Sequence, residues 1–295
     1  MKLVLFILVC LISFSCRKRL DNFLFNPDNS ITEYKLDDYQ GEVSIAVGEE
    51  YYIGPEMINR FSVPLISGKD TLDIAMIYVG DISTINQDTV LLYCHGNKDH
   101  MDFYWPRQKL YANLGEKNRV GVLSLDYPGY GLSEGETTEE NMYASVNLAL
   151  EWLKEMGVTQ ERLVMFGFSL GSSPVCEIAG NEGFALRPNK IILEAPFASA
   201  EVMVQDASIL NMPSSYFVNL KIDNAEEIKK CTMPLLWIHG RDDLFLSFET
   251  HGQVVYDNHL GVKMAVSVDG GGHENTPTIY GLSNYLKDIE HFIFQ

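Results

Sequence analysis

Six short apolar runs, at residues 90–94, 120–125, 163–168, 190–193, 235–238 and 263–268, read as strands buried on both faces. A strand with one wet face alternates apolar and polar residues, whereas a strand covered on both sides has no such alternation. Most of these runs are separated by helix-like stretches. In the stretch 139–156, Met142, Val146, Ala149, Leu150 and Leu153 share one helical face. Two further β-rich runs precede the six, at 60–66 and 72–79. Alternation of this kind predicts an α/β fold with a largely parallel, doubly wound sheet flanked by helices. In open sheets of this class, functional sites gather at the carboxyl ends of the strands.

The polar motifs of the chain fall at those ends. Directly after the run 163–166 comes Gly167-Phe168-Ser169-Leu170-Gly171, which fits the G-x-S-x-G nucleophile elbow. Such an elbow turns a strand sharply into a helix and leaves the serine strained and exposed, and a side chain at either glycine would strike the turn or the neighbouring strand. The following stretch, 172–179, reads as a helix with Pro174 in its first turn, where a missing N–H is tolerated. A serine hydroxyl needs a base to take its proton and a carboxylate to orient that base. After the run 235–238 comes His239-Gly240-Arg241-Asp242-Asp243, and after the run 263–268 comes Gly270-Gly271-Gly272-His273-Glu274. Each piece has a plainer explanation: His273 as a helix cap, the aspartates as turn residues, the serine as part of a glycine-rich loop. Three pieces in the order Ser, Asp, His, each just past a strand, argue for chemistry.

On the motifs LLYCHGN, LDYPGYGLSEG, GFSLGSS, LEAPFAS, IHGRDD and GGGHEN, the chain from about Phe23 onward resembles the α/β-hydrolase superfamily. Within it, the resemblance is to the small-capped serine hydrolases that include membrane-associated protein depalmitoylases and related bacterial esterases. The resemblance implies an α/β-hydrolase fold with a small cap at about 197–232. It implies Ser169 as nucleophile, His273 as general base and acid, and Asp243 as the triad acid, with Asp242 one residue away and Glu194 as lesser alternatives. The backbone N–H groups of Asn97 and Leu170 would form the oxyanion hole. His95 and His239 would brace loops, and the turn from Asp126 to Gly131 would shape the pocket without chemistry. Met203, Ile209, Met212, Tyr216 and Phe217 of the cap would line an acyl pocket or cover the core. Phe103-Tyr104-Trp105 has the same two readings, core packing being favoured.

Charge and cysteine usage narrow the partners. A formal net charge of -18 repels phosphate backbones, so nucleic acid is not an expected ligand. No Cys/His spacing of zinc type occurs in the sequence, and Cys94, Cys176 and Cys231 sit in apolar or helical contexts that favour buried free thiols. No cofactor and no catalytic metal are expected.

The N-terminus begins with one lysine and an apolar run from Leu3 to Phe14, ending at Ser15-Cys16. At this length it is a targeting segment and too short for an ordinary membrane span. It resembles a bacterial lipoprotein signal with Cys16 as the lipidated residue, although Ser13 stands where such signals usually carry Leu. Secretion with cleavage nearby and an uncleaved anchor held by Arg17-Lys18-Arg19 remain open. The expected organisation is a signal at 1–16, a lead-in at 17–55 and one hydrolase domain at 56–295, attached to a bacterial envelope membrane. The expected function is a serine hydrolase acting on an acyl ester or thioester of a small or acylated substrate. A serine peptidase acting on short peptides and a non-catalytic binding protein of the same fold are the alternatives.

Overall fold

All eight runs form strands of one sheet in the computed structural model, which describes residues 24–115, 119–207 and 220–295. Chain order gives β1 (Asn26–Pro27), β2 (Ile58–Ser67), β3 (Asp70–Val79), β4 (Thr89–Cys94), β5 (Lys98–Asp99), β6 (Val120–Leu125), β7 (Leu163–Phe168), β8 (Lys190–Glu194), β9 (Leu235–Gly240) and β10 (Lys263–Val268). The main sheet runs β10-β9-β8-β7-β4-β6-β3-β2, and β1 pairs with β5 in a separate parallel ladder of two residues each. Only β2 with β3 and β3 with β6 are antiparallel; the remaining pairs of the main sheet are parallel. Every residue of β6, β7 and β9 is buried, as the unbroken apolar runs predict, whereas β10, also expected to be covered on both faces, is an edge strand and buries only Val266 and Val268.

The topology locates the site before any side chain is considered. From β4 the chain steps to β6 on one side and later to β7 on the other, so winding reverses at β4. A crevice opens at such a reversal, outside the carboxyl ends of the two diverging strands. Those ends carry His95-Gly96-Asn97 and Ser169.

Helices seal both faces. The helix Glu139–Glu155 starts at Thr138, whose side chain accepts a hydrogen bond from the Asn141 N–H at 3.1 Å. It buries Met142, Val146, Ala149, Leu150 and Leu153, the stripe that the sequence spacing predicts. Among the described residues, no helix is long and apolar enough to cross a membrane. The targeting segment, Cys16 included, lies outside them.

The segment between Leu24 and Met57 has little regular structure but lends side chains to the core cluster on one face of the sheet. Tyr34, Leu36, Ile45 and Ile53 pack in one cluster with Ile77, Leu91, Val122 and Val164. It also carries Glu42, buried and paired with Arg107 through Nε at 2.7 Å and Nη2 at 2.8 Å. Arg107 Nη1 donates to Glu194 Oε1 at 2.8 Å, and Tyr285 Oη donates to Glu194 Oε2 at 2.5 Å. Burial pushes the Glu42 carboxyl up, against the opposing pull of Arg107. Burial likewise works against the charge of Arg107, but Glu194 and Glu42 outweigh it and hold the guanidinium firmly protonated.

Removing one member of such a cluster strands buried charge, whereas removing a surface pair costs little. Arg107→Met is therefore expected to lower unfolding free energy by about 3–5 kcal/mol. Lys109→Met, which breaks the half-exposed pair with Asp37, is expected to cost under about 1 kcal/mol. Urea unfolding followed by tryptophan fluorescence measures both.

Candidate active site

The turn out of β7 is dictated by crowding. Ser169 has φ of 52°, the left-handed region that a non-glycine residue occupies only under constraint. Gly167 and Gly171 are both at ordinary φ, so space is what they supply. A Cβ at Gly167 would overlap the Gly171 carbonyl, and a Cβ at Gly171 would overlap the Cys94 carbonyl at the end of β4. The helix Ser172–Gly180 follows at once, with Pro174 in its first turn.

The loops after β9 and β10 are stitched together by their backbones. Asp242 N–H donates to Gly271 O and Arg241 N–H to Val268 O, each at 2.9 Å, and a Cβ at Gly240 would overlap the Gly271 carbonyl. This contact turns Asp243 inward and leaves Asp242 exposed. Gly272 is pinned on both sides: its N–H donates to Asn275 Oδ1 at 2.7 Å, and its carbonyl accepts from Thr276 Oγ1 at 2.8 Å. His273 follows on this fixed loop.

The three side chains converge. His273 Nδ1 lies 2.8 Å from Asp243 Oδ2 and His273 Nε2 lies 3.0 Å from Ser169 Oγ. A carboxylate only accepts, so Nδ1 carries the proton and Nε2 is left to receive one from the serine hydroxyl. Asp243 Oδ1 accepts the N–H groups of Phe245 and Leu246, both at 2.8 Å. Burial raises the Asp243 carboxyl, but the hydrogen bond and charge of His273 and the Leu246 N–H more than offset it, and it stays below the usual carboxylate range. Phe168 and Phe245 flank the imidazole, with ring centroids at 5.3 and 5.0 Å.

Asp242 and Glu194, the alternative acids, stand elsewhere. Asp242 points to solvent, and both oxygens of Glu194 are taken by Arg107 and Tyr285. Arg107 still reaches the site: Nη2 donates to the Glu274 carbonyl at 3.2 Å, and the guanidinium stacks on Phe168 at 4.0 Å.

Two peptide planes beside Ser169 are held by their carbonyls. Gly96 O accepts from His95 Nδ1 at 2.7 Å, and Ser169 O accepts from Ser172 Oγ at 2.6 Å. No peptide among the described residues is cis, so the Asn97 and Leu170 N–H groups point opposite to those bonds. The turn from Asp126 to Gly131 braces the same loop: Tyr127 Oη donates to His95 O at 2.9 Å and Tyr130 Oη to Asn97 O at 3.0 Å. His95 Nε2 lies 3.2 Å from Asp126 Oδ1, and His239 Nε2 donates to Leu246 O at 3.0 Å, beside Asp243. Burial holds the His239 imidazole below its ordinary range.

A cleft of about 460 Å³ opens over Ser169, lined by Asn26, Asn97, Lys98, Tyr104, Phe168 and Phe245 among others. Within Phe103-Tyr104-Trp105, Tyr104 faces the cleft, while Trp105 is core and donates through Nε1 to Asp37 at 3.0 Å. Met203 packs into the main core and is not part of the cleft lining. Ile209, Met212, Tyr216 and Phe217 lie outside the described residues. Cys94, Cys176 and Cys231 are buried free thiols, and burial pushes Cys231 up to about 12. Sequence reasoning missed Asn26, Lys98, Phe245 and the Arg107 cluster. Phe245 alone had a signal, two residues past Asp243.

The chain is similar in sequence and in fold to known proteins. Residues 62–183 match the family model described as Chlamydia CHLPS protein (DUF818). Alpha/beta hydrolase domain-containing protein 17B of Homo sapiens is 29% identical over 213 residues, covering 71% of this chain and 68% of that protein. Alpha/beta hydrolase domain-containing protein aho-3 of Caenorhabditis elegans is 30% identical over 209 residues, covering 70% of this chain. The chain spans only 58% of that relative's length. In fold, an esterase of Pyrococcus furiosus superposes with a TM-score of 0.64 at 15% identity, over 91% of this chain and 98% of that one. A sheet that reverses its winding at β4, an elbow at the reversal and these likenesses agree, and the chain belongs to the α/β-hydrolase superfamily.

Proposed function

We propose that the protein is a serine hydrolase that cleaves an acyl ester or thioester through an acyl-enzyme. The observation that carries this reading is the single imidazole of His273 bridging Ser169 Oγ and Asp243 Oδ2 at 3.0 and 2.8 Å, on the floor of an aromatic cleft. In the proposed reaction Ser169 Oγ attacks the acyl carbonyl carbon while His273 Nε2 takes the hydroxyl proton. Asp243 holds the imidazole in the tautomer that can accept it and stabilises the imidazolium that forms. Charge on the former carbonyl oxygen is met by the Asn97 and Leu170 N–H groups, each worth on the order of 3 kcal/mol in such a role. The tetrahedral intermediate collapses, the alcohol or thiol leaves with the proton from His273, and the acyl group stays on Ser169. Water, deprotonated by His273, then releases the acid. No step needs a metal or cofactor.

The aromatic walls contributed by Tyr104, Phe168 and Phe245 suit an apolar acyl group. A panel of acyl esters, acyl thioesters and aminoacyl amides discriminates the readings. Turnover of the amides without the esters would favour a peptidase.

Two substitutions test the chemistry. Ser169→Ala is expected to abolish labelling by a fluorophosphonate and to lower turnover at least on the order of 10⁴-fold; undiminished turnover would remove the mechanism. Asp243→Asn is expected to reduce kcat by on the order of 10³- to 10⁴-fold through the wrong tautomer, with Asp242→Asn close to unchanged. Steady-state kinetics on the best ester of the panel gives that ranking, and its reversal would move the acid by one residue.

The location proposed is a bacterial envelope membrane, reached through lipidation of Cys16. One acyl chain anchors marginally, whereas several hold stably. Mass spectrometry of the membrane-extracted protein is expected to find a chain that begins at a lipid-modified Cys16. An intact, unmodified segment from Met1 to Cys16 would point to an uncleaved anchor, and an unlipidated start beyond Cys16 to secretion.

A further inference from the structure

We propose that Asp28, Asp99 and His100 form a structural divalent-cation site of zinc type, which ties the N-terminal strand to the loop beside the cleft. The backbone brings the three together. β1 and β5 pair in parallel with Pro27 opposite Asp99, the Asp28 N–H donates to the Asp99 carbonyl at 3.3 Å, and His100 follows directly. One ligand-type atom from each side chain lies within 4.8 Å of the other two.

The imidazole is what asks for a ligand. His100 is fully buried, yet neither Nδ1 nor Nε2 has a hydrogen-bond partner. A buried polar group without a partner is costly, and native structures seldom leave one. Asp99 Oδ1 stands 3.1 Å from His100 Nε2 but out of line for a hydrogen bond. That is close to the relation of two ligands on one ion: atoms about 2.0–2.2 Å from a tetrahedral zinc are about 3.3–3.6 Å from each other.

The carboxylates are prepared for the same role. Tyr39 Oη donates to Asp99 Oδ1 at 2.9 Å and the Ser30 N–H to Asp28 Oδ1 at 2.8 Å, which orients both groups. An imidazole nitrogen among the ligands favours zinc over calcium or magnesium, which take oxygen. Asp28 and Asp99 are partly exposed, which leaves a side open for entry and for a water ligand. Since Asn26 and Lys98, the residues before Pro27 and Asp99, line the cleft, a cation here would fix that wall without touching the reacting atoms.

The test uses the full chain carrying His273→Ala, so that the candidate catalytic imidazole cannot take the probe. After chelator treatment, Zn²⁺ is titrated in competition with a chromophoric chelator. One equivalent per chain is expected, with a rise in thermal midpoint on binding. His100→Gln should abolish stoichiometric uptake, and Asp28→Asn should weaken it at least about 10-fold, while His291→Gln, at an exposed position of the C-terminal helix Leu282–Phe294, should change nothing. If His100→Gln does not fold, Asp28→Asn decides, because it alters only a partly exposed oxygen. Absence of stoichiometric uptake, or uptake of equal affinity in Asp28→Asn, overturns the site and leaves His100 in direct contact with Asp99 alone.

Discussion

One buried guanidinium holds the parts of this molecule in register. Arg107 reaches Glu42 in the irregular N-terminal segment, Glu194 at the end of β8, the Glu274 carbonyl next to His273, and the face of Phe168 next to Ser169. Through Glu194 it is joined to Tyr285 of the C-terminal helix, and through that hydroxyl to Tyr111 at 2.9 Å. A charge of this kind is tolerable in a core only when its counter-charges are in place. The lead-in, the last helix and the histidine loop therefore have to assemble together. Irregular as it is, the segment around Glu42 acts as part of the domain and not as a tether to it.

A second constraint is economy of side chains at the site. The two candidate oxyanion donors are main-chain groups, and what fixes them lies behind the cleft: His95 on the Gly96 carbonyl and Ser172 on the Ser169 carbonyl. Holding a carbonyl from behind aims the N–H of the same rigid peptide without placing any side chain in the substrate's space. Tyr127 and Tyr130 do the same for the neighbouring carbonyls from a turn whose own residues stay out of the chemistry. Preorganisation of this sort is the larger part of how such sites stabilise developing charge. The same loop continues through Lys98 into Asp99 and His100, so bracing one stretch bears on both the cleft and the candidate cation site.

What could be read from the sequence was whatever depends on neighbours along the chain. Unbroken apolar runs gave the strands, with β6 and β7 placed to the residue because burial on both faces leaves a local signature; β10 is placed to the residue as well, although as an edge strand it buries only Val266 and Val268. The elbow glycines, the aspartate pair after β9 and the histidine after three glycines were legible too, since each sits at a fixed offset from a strand end. Tertiary packing alone decided which aspartate turns inward, through the contact of Gly240 with Gly271, and that Glu194 serves Arg107. It alone assigned Tyr104 to the cleft and Met203 to the core. The pairing of Asp28 with His100 joins residues far apart along the chain whose types are unremarkable in isolation. Periodicity and spacing report how a segment meets water, whereas the partner of a buried charge or an orphaned imidazole is set by which distant backbones the sheet brings side by side.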